Sequence, residues 1–229
     1  MKNVIIVGTG ANARLAYSFI KSHDLFNVLG FAVNKAYKKE EIFLGLPVYV
    51  LEELGQEVCG KEFSLFISLL WNHLNRDRKN LYEYCKGRGF RMANLISPLA
   101  VVRSEIKGDN IWIHDHVVIQ NDTVMGSNIA IMQGTLIGAS CIVGSHCFFG
   151  AHSILAGGCT IGEQSFVGLH STVFDDTHIG RKCIIGACTA VKRNMPDFSK
   201  YIVPSDNIII KQYSEEEIEN KLVFTSNKR

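Results

Sequence analysis

Histidines carry most of the potential chemistry of this chain. Six of the eight lie between residues 109 and 180, a stretch without lysine or arginine. His152 and His170 are eighteen residues apart, and His146 precedes His152 by six. Because a neutral imidazole accepts protons near neutral pH, we take His152, His170 and His146, in that order, as candidate general bases. The alternative for each is an outward histidine that is hydrogen-bonded to a neighbouring segment or to water.

A second group of candidate residues follows the first apolar run. Residues 2–7 predict a buried strand, and residues 8–13, Gly-Thr-Gly-Ala-Asn-Ala, lead into a helix predicted to extend through Ile20. Such a loop can hold a phosphate on backbone N–H groups at the helix start, although the string alone is weak evidence and a tight turn without ligand is the alternative. A nicotinamide cofactor would also require an acid at the end of the second strand. Asn34 stands there instead.

The elements that position the histidines follow from a repeat of period six. From Ile113 through Val191, fourteen apolar residues recur every six positions without interruption, and glycine often follows them. An amphipathic helix cannot give this period, because its stripe recurs every 3.6 residues. We therefore predict a triangular β-helix in which three six-residue units close a coil of eighteen residues. In this interpretation the glycines permit the backbone angles of the corners.

The residue two positions before each of these apolar residues is usually small or β-branched. Four of the seven cysteines occupy this position: Cys141, Cys147, Cys159 and Cys183. We expect buried free thiols rather than disulfides or zinc ligands. Coils of eighteen residues stack at about 4.8 Å, which places one column at a corner: His116, Gly134, His152, His170 and Cys188. His146 falls on another face.

The chain is predicted to have three parts. Strands at residues 2–7, 28–33 and 63–70 alternate with helices, the second at residues 78–89, and indicate a small parallel α/β sheet in residues 1–97. Pro98 marks the boundary, the β-helix occupies residues 98–204, and residues 205–229 form a tail with a short helix at residues 214–224 opened by a capping box.

Composition limits the classes of partner. The net charge is +2, and 47% of the 229 residues are hydrophobic and 20% charged, as in an ordinary globular protein. No basic stripe with interleaved aromatic residues is present, which argues against a nucleic-acid partner. The apolar run before Gly8 is too short for a signal peptide or a membrane span. We therefore expect a cytoplasmic protein.

The order of these parts resembles one family. A Rossmann-like half with the loop at residues 7–13, the linker Asn-Leu-Ile-Ser-Pro-Leu-Ala at residues 94–100, and hexapeptide coils are similar to bacterial sugar acyltransferases. These include the acetyltransferase of UDP-linked bacillosamine synthesis and sialic-acid O-acetyltransferase-like proteins. Residues 71–78 and 145–152 carry further resemblance. It implies a left-handed β-helix, a homotrimer, acetyl-CoA in the groove between subunits, and a nucleotide-linked sugar on the N-terminal loop.

The resemblance also implies roles for individual residues. The substrate-binding residues would be Gly8, Gly10, Asn12, Ala13, Asn72 and Asn75. The backbone N–H of Gly157 would meet the thioester oxygen and stabilise the oxyanion. The acetyl-CoA groove would be lined by Phe148, Gly150, Gly157, Leu169, Ala187, Lys192 and Arg193, where the last two would face the phosphates unless they are simply a solvated end.

One departure from the family decides between activities. Ala139 stands where the family has its base histidine, and Phe148 where it has a second one. An amine with a pKa near 8 attacks a thioester without help, whereas a hydroxyl depends on a base for about 10²–10⁴-fold. The sequence therefore predicts an acetyl-CoA-dependent N-acyltransferase for a nucleotide-linked amino sugar. The alternatives are an O-acetyltransferase, an inactive nucleotide-sugar-binding homologue, a zinc enzyme and, least favoured, a nicotinamide-dependent oxidoreductase; we expect no metal.

Overall fold

The computed structural model describes residues 2–58, 60 and 62–202. The chain begins with an α/β unit, and the predicted helix at residues 214–224 lies outside the described residues. The strands of this unit are β1 (Asn3–Val7), β2 (Asn27–Val33), β3 (Ile42–Phe43), β4 (Leu46–Val50) and β5 (Ser64–Ile67). Its helices are α1 (Ala11–Ser22), α2 (Leu54–Glu57) and α3 (Arg76–Gly87), with a 3₁₀ turn at Lys35–Tyr37.

The sheet of this unit is mixed rather than wholly parallel. Its order is β3-β4-β2-β1-β5, in which β4, β2, β1 and β5 run parallel and β3 pairs antiparallel with β4. The β3–β4 hairpin is the part that the sequence did not predict. Its two-residue turn places Leu44 and Gly45 at φ 52° and 79°, and leucine at the first position is not the usual signal for such a turn.

The rest of the described chain is a three-sided parallel β-solenoid built from two-residue strands. They are β6 (Leu95–Ile96), β7 (Val101–Val102), β8 (Trp112–Ile113), β9 (Val118–Ile119), β10 (Val124–Met125), β11 (Ala130–Ile131), β12 (Leu136–Ile137), β13 (Ile142–Val143), β14 (Phe148–Phe149), β15 (Ile154–Leu155), β16 (Thr160–Ile161), β17 (Phe166–Val167), β18 (Thr172–Val173), β19 (His178–Ile179), β20 (Ile184–Ile185), β21 (Ala190–Val191) and β22 (Lys200–Tyr201).

Strand pairing confirms the predicted coil of eighteen residues. Leu136 pairs with Ile154 in one sheet, and Phe148 pairs with Phe166 in another. The second residue of each strand from β8 to β21 points inward and joins one continuous buried core. The four cysteines of the repeat are buried free thiols in or beside that core, as predicted.

The glycines of the repeat have a different role from the predicted one. Gly126, Gly138, Gly150 and Gly168 do not have positive φ; the left-handed residue at each of these corners comes two positions later and is Asn128, Ser140, His152 or His170. What excludes a side chain at the glycine is the next coil. A Cβ on Gly168 would lie 2.5 Å from the backbone nitrogen of Ala187. The prediction that glycine supplies the corner's backbone angles was therefore wrong, because close stacking of the coils requires it instead.

The α/β unit and the solenoid share a hydrophobic core. Trp112, Ala130 and Phe148 point outward from one solenoid sheet and are buried in the same cluster as the apolar residues of β1, β2 and α1. The solenoid strands also begin before the predicted boundary at Pro98, because β6 pairs with β8 at Leu95–Trp112. This sheet is therefore covered by the α/β unit.

The stacking role of the glycines predicts different costs for the same substitution at two sites. Gly168→Ala places a methyl group against the backbone of the next coil and should lower the free energy of unfolding by about 1–3 kcal/mol. Gly87→Ala is the control, because a Cβ there meets no atom within 4 Å and the helix favours alanine. Urea unfolding of both variants checks this. Equal midpoints for the two variants would contradict the stacking role.

Candidate functional site

A cleft of about 690 Å³ lies at the carboxyl edge of the N-terminal sheet, where β1, β2 and β5 end. Open sheets of parallel strands bind ligands at this edge. The lining residues come from the first loop and helix, the ends of β2 and β5, and α3: Val7, Gly8, Thr9, Gly10, Ala11, Asn12, Ala13, Val33, Asn34, Tyr37, Ser68, Leu69, Asp77, Asn80, Leu81 and Tyr84. Four of the predicted substrate residues meet here; Asn72 and Asn75 do not line the cleft.

Gly8 allows the first loop to turn tightly across the cleft. Its φ is +124°, and a Cβ would lie 2.8 Å from the hydroxyl oxygen of Ser68. That hydroxyl donates to the carbonyl of Val7 at 2.9 Å, and the Gly8 N–H donates to the carbonyl of Ala32 at 2.8 Å. A side chain at this position would therefore disturb three strands at once.

The N-terminus of α1 opens onto the same cleft. Gly10 is its N-cap residue and makes no side-chain capping bond, and the first turn contains no acidic residue. The N–H groups of Ala13 and Arg14 both donate to the carbonyl of Gly10, while helix geometry leaves those of Ala11 and Asn12 without an intrahelical acceptor. Free N–H groups and the positive end of the helix dipole favour an anion such as phosphate.

The end of β2 is held by the carboxylate of Glu52. The Asn34 amide donates to Glu52 Oε1 at 3.1 Å, and the Lys35 N–H donates to Oε2 at 2.9 Å. Burial alone would raise the pKa of Glu52, but these hydrogen bonds and that from its own N–H lower it. The Glu52 carboxylate is therefore engaged in fixing this loop.

A column of left-handed corner residues joins the solenoid to the α/β unit. We call Asn110, Asn128, His146 and Gln164 the polar column; they are eighteen residues apart and buried. The Ile67 N–H donates to Asn110 Oδ1 at 2.8 Å, Asn110 donates to Asn128 at 2.7 Å, and Asn128 Nδ2 lies 2.7 Å from His146 Nδ1. The end of β5, beside the cleft, is thereby bonded directly to the solenoid.

His146 is a structural residue in this arrangement rather than an accessible base. It is 6% exposed, its Nδ1 pairs with Asn128, and the Tyr82 ring packs edge-on against it. Burial, with Lys79 and Arg78 nearby, lowers its pKa to about 4. The predicted general base at His146 is therefore corrected, because its imidazole is covered by α3.

The loop between β5 and α3 docks on the same column. Asn75 is fully buried and donates to the carbonyl of Ser165 at 3.1 Å, and the buried Arg78 donates to the carbonyls of His146 and Cys147. Burial lowers the pKa of Arg78 to about 10, so it stays charged at neutral pH. The predicted sugar contact of Asn75 is replaced by this role, whereas Asn72 is exposed in the loop.

The other two candidate bases are brought together as predicted. The rings of His152 and His170 stack at 5.0 Å with an interplanar angle of 14°, and both are exposed. The His152 N–H donates to the carbonyl of Gln133, and the His170 N–H donates to the carbonyl of Ala151; these backbone hydrogen bonds fix the column. No ion pair of the described residues involves either imidazole, so no carboxylate orients them.

The corner that carries Ala139 and Gly157 holds a carboxylate from the next coil. The Gly157 N–H donates to Asp175 Oδ1 at 3.0 Å, on the surface. The neighbouring Asp176 carboxylate occupies the space that a Cβ on Gly158 would need, while the Gly158 N–H donates to the carbonyl of Ala139. The N–H group that the sequence assigns to the thioester oxygen is thus satisfied by Asp175, which must move before another acceptor can use it.

The predicted groove residues separate into buried and exposed groups. Phe148 is 3% exposed, stacks on Phe166 at 5.1 Å and is covered by Trp71, so it is part of the shared core rather than of an open groove. Gly150 is buried against the backbone of Leu169. Leu169, Ala187, Lys192 and Arg193 are exposed, and the Lys192 ammonium lies 5.0 Å from the Phe174 ring.

The described part of the chain lacks two features. In residues 2–58, 60 and 62–202, no three His, Cys, Asp or Glu side chains are grouped so as to hold a metal ion. Within the same residues no helix has the length and apolar character needed to cross a membrane.

Comparison with known proteins defines the class. The family profile described as the hexapeptide repeat of succinyl-transferase matches residues 141–168 and 158–193. The fold is similar to that of a perosamine N-acetyltransferase variant from Caulobacter crescentus in complex with CoA and GDP-perosamine, with 27% identity, a TM-score of 0.76 and coverage of 87% of this chain and 93% of that one. No match was found among curated proteins.

Two further structures extend this likeness. PerB from Caulobacter crescentus, in complex with CoA and GDP-perosamine, is 28% identical over 86% of this chain and 92% of its own, with a TM-score of 0.73. The acetyltransferase domain of PglB from Neisseria gonorrhoeae shares the fold at 18% identity over 87% of this chain and 96% of its own, with a TM-score of 0.75. Solenoid and repeat thus define a hexapeptide-repeat protein. In repeat and fold the chain is similar to hexapeptide-repeat sugar acyltransferases, the family that the sequence resembles.

The burial of His146 predicts a pH dependence of stability. Its pKa is about 4 in the folded chain and near 6.5 unfolded. The unfolded chain therefore binds more protons, and the stability due to neutral His146 is lost as the pH falls from about 6.5 to 4. The loss of unfolding free energy between pH 7 and 4.5 should be about 2 kcal/mol smaller in His146→Gln than in wild type.

Urea unfolding at the two pH values measures this difference within each variant, which cancels any constant cost of the substitution. His178→Gln serves as the control, because His178 is exposed. The same pH-dependent loss in all three proteins would show that His146 titrates normally.

Proposed function

We propose that the protein transfers an acyl group, normally acetyl, from acyl-CoA to the amine of a nucleotide-linked amino sugar. The observation that carries this proposal is the cleft at Gly8, Gly10 and Asn12, with the free N–H groups of α1, on a chain of the hexapeptide-repeat acyltransferase class. Its Caulobacter relatives were solved with CoA and GDP-perosamine.

On the nucleotide side, the α/β unit acts as a Rossmann-like domain. The diphosphate lies at the N-terminus of α1, where its charge is favoured by the dipole and by the N–H groups of Ala11 and Asn12. Gly10 has open space around its Cα, since a Cβ there would meet no atom within 4 Å. The absence of an acid at Asn34 argues against a nicotinamide cofactor.

On the acyl side, the solenoid is left-handed and forms a homotrimer, with acetyl-CoA between subunits near Gly150, Leu169 and Ala187. Two sheets not covered by the α/β unit support self-association, because they expose large apolar side chains: Val101, Val124, Ile142 and Ile154. Flat, open sheet faces of this kind tend to be covered in the assembled protein. Lys192 and Arg193 provide positive charge for the phosphates of CoA.

The chemistry suits an amine better than a hydroxyl. The amine nitrogen attacks the thioester carbonyl, whose oxygen takes the electron pair and accepts a hydrogen bond from the Gly157 N–H. The carbon–sulfur bond then breaks, the CoA thiolate leaves, and the proton that the nitrogen loses ends on the thiolate sulfur. Ala139 supplies no proton acceptor at this corner, so a neutral amine with a pKa near 8 is the competent nucleophile.

A thiol-release assay tests this proposal. Purified protein with acetyl-CoA and a panel of UDP-, dTDP- and GDP-linked amino sugars should release free thiol with at least one acceptor. The same nucleotide sugar with a hydroxyl in place of the amine should react at least 100-fold more slowly, because a hydroxyl must lose its proton to react. Reaction of hydroxyl acceptors alone would overturn N-acylation. If none of the acceptors gives thiol release, the inactive binding homologue is favoured.

The contact between Asp175 and Gly157 predicts an effect on acyl-CoA binding. Asp175→Ala frees the Gly157 N–H and should lower the KM for acetyl-CoA about threefold to tenfold, the equivalent of one hydrogen bond. Asp176→Ala is the matched control, because it removes the neighbouring carboxylate and leaves the Gly157 contact intact. Initial rates of thiol release give both KM values. An identical KM in both variants would mean that the thioester does not use this N–H.

A further inference from the structure

The loop that joins β5 to α3 contains an unusual left-handed turn. His73, Leu74 and Asn75 follow one another at φ 49°, 53° and 62°. Each such residue costs about 1–2 kcal/mol when it is not glycine, and runs of this kind persist only where the surrounding structure imposes them, often at functional sites. Contacts with the rest of the structure must therefore hold the turn in this conformation.

The solenoid imposes this conformation. Gln164 Nε2 donates to the carbonyl of Leu74 at 3.0 Å, and Asn75 Nδ2 donates to the carbonyl of Ser165 at 3.1 Å. Within the loop, the Asn75 N–H donates to the carbonyl of Trp71 at 3.1 Å. These bonds fix the turn from both sides, so its outward side chains have a defined position.

The turn presents an oriented imidazole beside the cleft. His73 Nδ1 lies 2.7 Å from Asp77 Oδ2, and Asp77 lines the cleft. The His73 side chain is 64% exposed. When a carboxylate accepts the proton on Nδ1, the lone pair of a neutral imidazole is on Nε2, as a general base requires. An exposed pair of this kind adds little stability, so the strain of the turn is not offset by this contact.

Four of the other described histidines are less suited to accept a proton at the cleft. His146 is buried, and His152 and His170 stack on each other without a carboxylate. His23 also meets a carboxylate, that of Asp115 at 2.9 Å, but it is the C-cap of α1, at the opposite end of that helix from the cleft.

We propose that His73 is the base that accepts the proton from the acceptor nitrogen once that nitrogen has attacked the thioester, and that Asp77 positions His73. This inference rests on the proposed function. The amine nitrogen forms a bond to the thioester carbon, and the carbonyl electron pair moves to oxygen. His73 Nε2 takes the proton that the nitrogen loses. The carbonyl re-forms as the carbon–sulfur bond breaks, and the imidazolium returns the proton to the CoA thiolate.

Trp71 completes the acceptor subsite as a sugar-facing platform. It is 47% exposed, and its ring is supported edge-on by the buried Phe148 at 4.9 Å. An exposed aromatic ring held in this way offers an apolar face to the C–H groups of a sugar ring. Trp71 and His73 stand two residues apart in the same exposed loop.

The test is steady-state kinetics with acetyl-CoA and the nucleotide-linked amino sugar that wild type accepts. His73→Asn keeps a residue that tolerates the left-handed conformation and should lower kcat at least tenfold, with a change of less than threefold in the KM for the nucleotide sugar. Asp77→Asn should also lower kcat, because the imidazole of His73 is then no longer oriented by a carboxylate. His178→Asn replaces an exposed histidine of the solenoid and should leave kcat unchanged.

Equilibrium binding of the nucleotide to each variant separates a catalytic loss from a folding defect. An unchanged Kd together with a low kcat supports the role of His73. The role of His73 is overturned if kcat in His73→Asn is within twofold of that in His178→Asn. It is also overturned if added imidazole restores no activity to His73→Ala. If wild type releases no thiol with any amino-sugar nucleotide, the proposed function itself fails, and that outcome is visible before any variant is made.

Discussion

The close approach of successive coils controls the rest of this structure. Each coil advances by one strand spacing, and at the glycine corners the backbone of the next coil occupies the space that a Cβ would need. Residues eighteen apart are therefore held in direct register for the whole length of the solenoid. Because of this register, residues eighteen apart stack in columns. All residues of a column share one environment, which is the apolar interior, the polar column under the α/β unit, or an exposed corner.

The polar column connects this register to the N-terminal cleft. Asn110 accepts a hydrogen bond from the Ile67 N–H at the end of β5, and the next residue, Ser68, lies against Gly8. Gln164 and Ser165 hold the loop that follows. The position of the cleft is thus set by bonds to the solenoid as well as by the shared core around Trp112 and Phe148. Because these bonds are buried, losing one partner leaves an unsatisfied group and is costly.

The solenoid could be predicted from the sequence, but only part of the candidate site could. The period of six predicted the coil, its inward residues and the His152–His170 column, since all three depend only on spacing. The glycine loop likewise located the cleft. The burial of His146 and Phe148 could not be predicted from spacing, because it depends on how the α/β unit covers one face of the solenoid. The β3–β4 hairpin was missed because its Leu44-Gly45 turn lacks the usual residues.

Other functional candidates were within reach of the sequence. Asp175 stands eighteen residues after Gly157, so the stacking rule that placed the histidines also places its carboxylate at that N–H. Asn110 and Asn128 follow the same rule. His73 and Asp77 are four residues apart but precede most of α3, and the left-handed turn that pairs them depends on contacts with Gln164 and Ser165. That pairing needed the folded chain.

We infer that one protein holds a nucleotide diphosphate at α1 and coenzyme A on the solenoid. A crystal structure of the full chain grown with coenzyme A and either UDP or GDP tests it most directly. We expect the diphosphate oxygens on the N–H groups of Ala11 and Asn12, and the pantetheine sulfur beside Gly157 with Asp175 displaced. Nucleotide bound away from the Gly8–Gly10 loop, or no coenzyme A along the solenoid, would contradict this account.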